Sequence, residues 1–267
     1  MSQLTLVSLF PDIGATLGFE LAGFRAAEAE EAVDVLEDST TGEFFDEYNG
    51  VLEELQPKAF IINAPVGLLQ GSGVSDFNRI FRALRNSNYR VAAQTLNAAD
   101  YGVPQRKTRL FLFGIRNDLE LDPTFPEPFG YRVTIQKVLE GLPPLTEEET
   151  EMLDISHDDL YDEVARRTQG LPGRPFNLRI QRWDEPCDAI SPSGGALNAD
   201  AVIHPSGTRL FSFGELKRLC TFPDSLEISG SYEDQVRELG RSVPPLLMKA
   251  MALKLRQILE PNESSEE

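Results

Sequence analysis

The chain has 267 residues, 41% of them hydrophobic, and a formal net charge of −18 from 43 acidic and 25 basic side chains. That is enough apolar material for a real core in one large domain, or one domain with a small satellite, and no apolar run is long enough to cross a membrane. Two cysteines, Cys187 and Cys220, make no disulfide framework and favour an intracellular location, and the N-terminal MSQLTLVSLFPDIG lacks the basic and small-residue features of a secretory signal.

The charge is unevenly spread. Residues 1–60 hold thirteen acids against Arg25 and Lys58, whereas residues 79–116 hold eight bases against Asp100 alone. Residues 117–164 return to fourteen acids against Arg132 and Lys137, and residues 165–183 carry five arginines and no acid. Two positive windows in an acidic chain are where an anionic partner could dock. Arginine outnumbers lysine nineteen to six, a bias that suits either adaptation to high salt or a functional acidic face.

In chain order, Leu4 to Phe10 reads as a buried strand stopped by Pro11. Asp12, Gly14 and Gly18 then lead into a helix with Leu17, Leu21 and Phe24 on its apolar face, the strand–turn–helix geometry that brings amides to a nucleotide-like ligand. Ala26 to Glu31 reads as a second strand ending on acids. Phe44 to Leu55 is an amphipathic helix, Ala59 to Ile62 a buried strand, and Asp76 caps a helix with Phe77, Ile80, Phe81 and Leu84 inward. Arg79, Arg82 and Arg85 lie on its opposite, solvated face. Arg90 to Leu96 and Leu110 to Ile115 are strands flanking a loop in which Gly102 and Pro104 mark a tight turn. That loop holds Arg106, Lys107 and Arg109 on the rim of a sheet covered on both faces.

From Asn117 to Pro172 the pattern is irregular, acidic and proline-rich, with helices expected at Val133 to Leu142 and His157 to Arg167. Phe176 to Ser191 reads as an extended arm carrying Arg179 and Arg182. Helices follow at Phe213 to Phe222, at Tyr232 to Leu239, and after Pro244-Pro245, where Leu247, Met251, Leu255 and Ile258 make one stripe. Residues 260–267 read as a frayed acidic tail. His157 and His204 are too few and too far apart to suggest a metal site.

LFPDIGATLGFELAGF, FFDEYNGVLEELQPKAFIINAPVGLL, LNAADYGVPQRKTR, WDEPCDAIS, HPSGTRLFSFGELKRLCTFPD and GRSVPPLLMKAMA stand in an order that resembles the DNA cytosine-5 methyltransferase family over most of the chain. The resemblance implies an α/β, Rossmann-like S-adenosylmethionine-dependent methyltransferase fold with a mostly parallel sheet, shortened, and a small recognition-type lobe. It divides the chain into a core (1–116), a reduced target-recognition-like lobe (117–195), a C-terminal helical part returning to the core (196–259) and the tail (260–267). Phe10 and Gly14 match the family's cofactor motif, Asp12 and Ala15 replace two of its glycines, and Glu31 is the equivalent of the ribose-binding acid. Asn63-Ala64-Pro65 stands where the family has Glu-Asn-Val, and Arg241 where it has Asn. Gln105, Lys107 and Arg109 align with the Gln-x-Arg-x-Arg loop, and with Arg179 and Arg182 they form the expected DNA contacts.

The family's nucleophile is a cysteine in a Pro-Cys loop, on a strand preceding the helix at Phe44. Between Glu31 and Phe44 this chain has only AVDVLEDSTTGE, with no cysteine and, on this reading, no room for that strand and loop. Addition to a cytosine ring requires a thiolate, and an acid must take up the developing charge, which Asn63 cannot do. No catalytic residue is therefore assigned. The expectation is an inactive family member serving as a DNA-binding or regulatory protein, or as the partner of an active methyltransferase. Two alternatives stand beside it: the non-nucleophile subunit of a split methyltransferase, and an acidic DNA mimic or structural protein binding other proteins. S-adenosylmethionine binding is expected to be weak or absent, with no membrane or metal partner.

Overall fold

The structure, a computed structural model, describes residues 3–9, 12–28, 31–39, 45–155, 179–192 and 202–260. Phe10, the expected helix at 157–167, the start of the arm at 176–178 and the tail beyond Glu260 lie outside the described residues. The elements in the first half of the chain are β1 (Thr5–Ser8), α1 (Ile13–Leu21), β2 (Arg25–Ala26), β3 (Val35–Asp38), α2 (Phe45–Leu55), β4 (Ala59–Pro65), α3 (Gly73–Asn86), β5 (Tyr89–Asn97) and β6 (Thr108–Arg116). They are followed by α4 (Ile135–Leu139), α5 (Glu147–Leu153), β7 (Arg179–Ile180), β8 (Val202–Ile203), α6 (Phe213–Leu219), α7 (Tyr232–Arg241) and α8 (Pro245–Leu259). The chain forms two units, one of residues 1–97, 108–128 and 245–267, the other of residues 98–107 and 129–244. This division cuts across the expected domains, because the loop 98–107 goes with the second unit.

The first unit is built on a six-stranded sheet in the order β2-β1-β3-β4-β6-β5. Strands β2, β1, β3 and β4 are mutually parallel, and β6 runs antiparallel to both β4 and β5. Leu110, Phe111, Leu112, Phe113 and Ile115 are all fully buried, the unbroken apolar run that a sheet covered on both faces demands. On one face, α2 and α3 pack Tyr48, Leu52, Ile80 and Leu84 against Leu36, Phe60 and Leu112. Each such side chain contributes about 1.5–3 kcal/mol by leaving water. Gly114 lies opposite Phe60 in the β4–β6 register, and a Cβ there would fall 2.1 Å from the Phe60 ring, so only glycine lets that ring lie across the strand. On α1, a Cβ at Gly18 would fall 2.5 Å from Met248 Cβ, which is how closely α1 and α8 approach.

Three sequence expectations change in this unit. The strand before α2, for which no room was expected, is present: β3 pairs in parallel with both β1 and β4. It is only four residues long and ends on the buried acids Glu37 and Asp38, so it carries no apolar signature. The second strand is two residues long, and Glu31 is bound outside it. Helix α3 starts at Gly73, with Ser72 at the cap position and Asp76 inside the first turn, where a carboxylate still favours the helix dipole.

In the second unit, α5, α6 and α7 each begin with a capping box, made by Thr146 with Glu149, Ser212 with Glu215 and Ser231 with Asp234. Strands β7 and β8 pair in parallel, and Leu153, Ile155, Ile203 and Leu210 form a small core. In the loop 98–107, Gly102 takes φ +81°, a conformation that favours glycine. No helix among the described residues is long and apolar enough to cross a membrane.

Candidate functional site

The candidate site lies at the carboxyl ends of β1, β3 and β4 in the first unit. Parallel pairing brings Ser8 beside Glu37. Because β6 runs antiparallel to β4, its amino end lies at the same rim, with Arg109 opposite Pro65. The polar side chains there form one chain of hydrogen bonds. Ser8 donates to Glu37 Oε2, Ser39 Oγ donates to Glu37 Oε1 at 2.5 Å, Asn63 Nδ2 donates to Ser39 Oγ at 3.3 Å, and Arg109 Nε donates to Asn63 Oδ1 at 2.9 Å. Glu37, Asn63 and Arg109 are 1%, 0% and 8% exposed, so Glu37 is held by Ser8 and Ser39, and Asn63 links Ser39 to Arg109.

Burial sets the electrostatics. Loss of water around Glu37 pushes its carboxyl up to about 8, against the pull of the Ser39 and Ser8 hydroxyls, with Asp12 and Asp38 adding like charge. Burial also lowers the Arg109 guanidinium, opposed by the nearby Asp12 carboxylate. The Tyr48 hydroxyl, raised by burial and by Asp38 and Glu37, is enclosed with no hydrogen-bond partner among the described residues. The arrangement can donate and accept hydrogen bonds and hold a proton on Glu37, but it presents no sulfur nucleophile.

Of the three residues expected at the cofactor, the two described ones, Gly14 and Glu31, are engaged by the chain's own side chains. Phe10 lies outside the described residues. Gly14 sits in the first turn of α1, but its amide and that of Ala15 donate to Asp12 Oδ1, at 2.7 and 3.2 Å. The anion-binding end of the helix is thus filled by the chain's own carboxylate. Glu31 pairs with Arg25 through both carboxylate oxygens and also accepts the Glu28 amide. Those bonds, Arg25 first, lower its carboxyl to about 2.

Two of the five expected DNA contacts are buried in the second unit. Gln105 is 0% exposed, gives Nε2 to Cys220 Sγ at 3.2 Å and accepts the Ile190 amide. Lys107 is 6% exposed and donates Nζ to the carbonyls of Gly240 and Ser242, both at 2.7 Å, and of Leu239 at 3.4 Å. Both side chains hold the loop rather than face solvent. Arg109, in the first unit, is buried against Asn63. Arg179 and Arg182 are exposed, but Arg179 pairs with Asp188, and Arg182 with Asp184 and Glu185. Arg106 adds pairs to Glu185 and Asp188. In space, Arg106, Arg179 and Arg182 are thus matched by Asp184, Glu185 and Asp188.

Cys187 and Cys220 are 0% and 1% exposed, and burial raises both thiols, Cys187 well above the usual range. His204 Nδ1 accepts the Ser206 amide at 3.1 Å. Burial, with Arg209 nearby, lowers its imidazole to about 4, so it is neutral at pH 7. Arg209 forms two 2.8 Å bonds to the Glu215 carboxylate. Both residues, with His204 and Trp183, line a cavity of about 740 Å³. No cluster of metal-ligating side chains occurs among the described residues. The Ser8–Glu37–Ser39 bonds were missed from sequence because β3 was missed; the apolar pair Val35-Leu36 directly before Glu37 and Asp38 was the available signal.

A protein-family model described as C-5 cytosine-specific DNA methylase matches residues 35–257. Among curated proteins, the type II methyltransferase M.Sau96I of Staphylococcus aureus is 28% identical over 235 residues, covering 81% of this chain and 54% of that protein. The type II methyltransferase M.XorII of Xanthomonas oryzae pv. oryzae is 27% identical over 304 residues, covering 93% and 68%. The chain therefore spans between about half and two thirds of the length of these relatives. Among solved structures, an Escherichia coli prophage protein assigned as a DNA modification methyltransferase superposes with a TM-score of 0.74 at 18% identity, covering 97% of this chain and 100% of that one. The Schizosaccharomyces pombe Dnmt2 methyltransferase gives 0.67 at 16% identity, covering 98% and 100%. At these identities the structures speak for the fold.

Proposed function

The chain belongs to the C-5 cytosine-specific DNA methylase family, and we propose that it is an inactive member that binds DNA in a regulatory role and transfers no methyl group by itself. The observation that carries this reading is at the carboxyl end of β3. The strand leading to α2 is in place, yet it delivers Asp38 and Ser39 to the rim, and residues 31–44 contain no cysteine. A thiolate is the group that adds to the pyrimidine ring, and both thiols of this chain are buried in the second unit. Asn63 stands where the family's acid would be and accepts from Arg109, so the acid at that position is missing as well. The Asp12 cap and the Glu31–Arg25 pair argue for weak or absent S-adenosylmethionine binding.

The split-enzyme reading asks a second protein to supply the Pro-Cys loop. It is disfavoured because the missing segment falls inside the chain, between β3 and α2, whereas a split enzyme leaves a chain end at the break.

The test is a titration of duplex DNA with the purified chain at about 50 and about 200 mM salt, a range over which phosphate contacts lose affinity steeply. Binding that weakens with salt supports the reading. Absence of binding at both concentrations removes its DNA component.

A further inference from the structure

We infer that the exposed face of α3 is a docking surface for the phosphate backbone of DNA, separate from the loop and arm that the family resemblance nominates. The inference rests on DNA being bound at all, as proposed above, and concerns where.

Eleven of the described arginines lie within ion-pair distance of a carboxylate. A polyanion approaching any of these must displace an acid already in place. Arg82 and Arg85 differ: both are exposed, and neither has an ion pair among the described residues. They stand one helical turn apart on α3, about 4.5 Å along the axis, a step comparable with the charge spacing of one DNA strand. The Arg85 guanidinium lies 6.0 Å from the centre of the Phe81 ring, which stacks on Phe77 at 5.5 Å. An aromatic base of this kind steadies the cation while leaving its N–H groups outward.

The surroundings suit a phosphate. From Phe77 to Asn88 the sequence contains no acid, and the exposed Asn78 and Asn86 add amide donors beside the two guanidiniums. Arginine and asparagine donors are the groups that contact phosphate oxygens. An acidic protein segment would also be attracted. From Asn78 to Asn86 the outward offering of this face is hydrogen-bond donors, with Ile80 and Leu84 turned inward and buried and Val74 exposed at the helix start, which favours the backbone of a nucleic acid over a packed protein interface. On a chain of net charge −18, an unneutralised pair of arginines also orients the encounter.

The experiment is fluorescence anisotropy with a labelled duplex across a salt series, on the full chain. The charge reversal Arg82→Glu/Arg85→Glu should weaken binding at least about tenfold at low salt and reduce the log–log salt slope by about 2. Arg82→Lys/Arg85→Lys should stay within about threefold of wild type, as should Arg179→Ala/Arg182→Ala, whose charges are already paired. Arg82→Gln/Arg85→Gln serves if the reversal does not fold, and melting curves of every variant establish which is intact. Wild-type affinity and slope in a folded reversal or neutral variant would overturn the inference, as would a loss confined to Arg179→Ala/Arg182→Ala; in both cases the DNA-binding reading survives. Tighter binding of polyglutamate than of the duplex would also overturn it, assigning the face to an acidic protein. A wild type that binds no DNA defeats the inference and the DNA reading together.

Discussion

Arg109 Nε lies 2.9 Å from Asn63 Oδ1, tying the start of β6 to the end of β4 in a contact that excludes water. Asn63→Ala would leave a buried guanidinium N–H without that acceptor, so the substitution should cost about 2–3 kcal/mol in urea unfolding. Asn63→Asp, which supplies an anion of the same shape, should be more stable than Asn63→Ala. A cost below about 0.5 kcal/mol for Asn63→Ala would mean that the pair is not maintained in solution.

Glu37 gives the stability curve a pH signature. Its carboxyl is raised from 4.5 unfolded to about 8 folded, mainly by burial. The folded state therefore holds the proton more tightly than the unfolded state. Its contribution is complete below about pH 4.5 and lost as pH rises through about 8. Glu37→Gln should flatten this fall, which is on the order of a few kcal/mol. Melting temperatures of the two proteins between pH 5 and 9 decide the matter; parallel curves would refute the assignment.

The two thiols should be inert in the native state. Cys187 and Cys220 are enclosed, and burial keeps both protonated, so neither supplies a thiolate at neutral pH. A chromogenic disulfide reagent should find no reactive thiol in the folded chain and two after denaturation. One thiol reacting within minutes under native conditions would reopen the possibility of a displaced nucleophile.

Lys107→Met keeps most of the aliphatic stem and removes the ammonium that binds the carbonyls of Leu239, Gly240 and Ser242. The expected outcome is a loss of about 2–4 kcal/mol, since three acceptors lose a charged donor. A folded, stable Lys107→Met that loses DNA affinity would instead return Lys107 to the nucleic-acid contact suggested by its motif.

What could be read from the residues, and what could not, has physical causes. Leu110 to Ile115 announced a doubly covered strand because every position is apolar, and the stripe Leu247, Met251 and Leu255 announced α8. Strand β3 was hidden because Glu37 and Asp38 are buried acids, stabilised by Ser8, Ser39 and their neighbours rather than by hydrophobicity. Helix α5 was overlooked although Thr146 and Glu149 spell a capping box, since its seven residues are mostly glutamate and threonine. Charge counted along the chain found positive windows, but Glu185 and Asp188 neutralise Arg106 from about 80 residues away, a pairing visible only in three dimensions. Lys107 finds its carbonyls more than 130 residues away, a distance no local pattern reports.

The most direct measurement is methyl transfer by the purified chain alone, supplied with labelled S-adenosylmethionine and DNA rich in varied cytosine contexts. The expected result is no label in DNA above the protein-free control, at low and at molar salt. Appearance of 5-methylcytosine in that DNA would contradict the loss of chemistry at the end of β3.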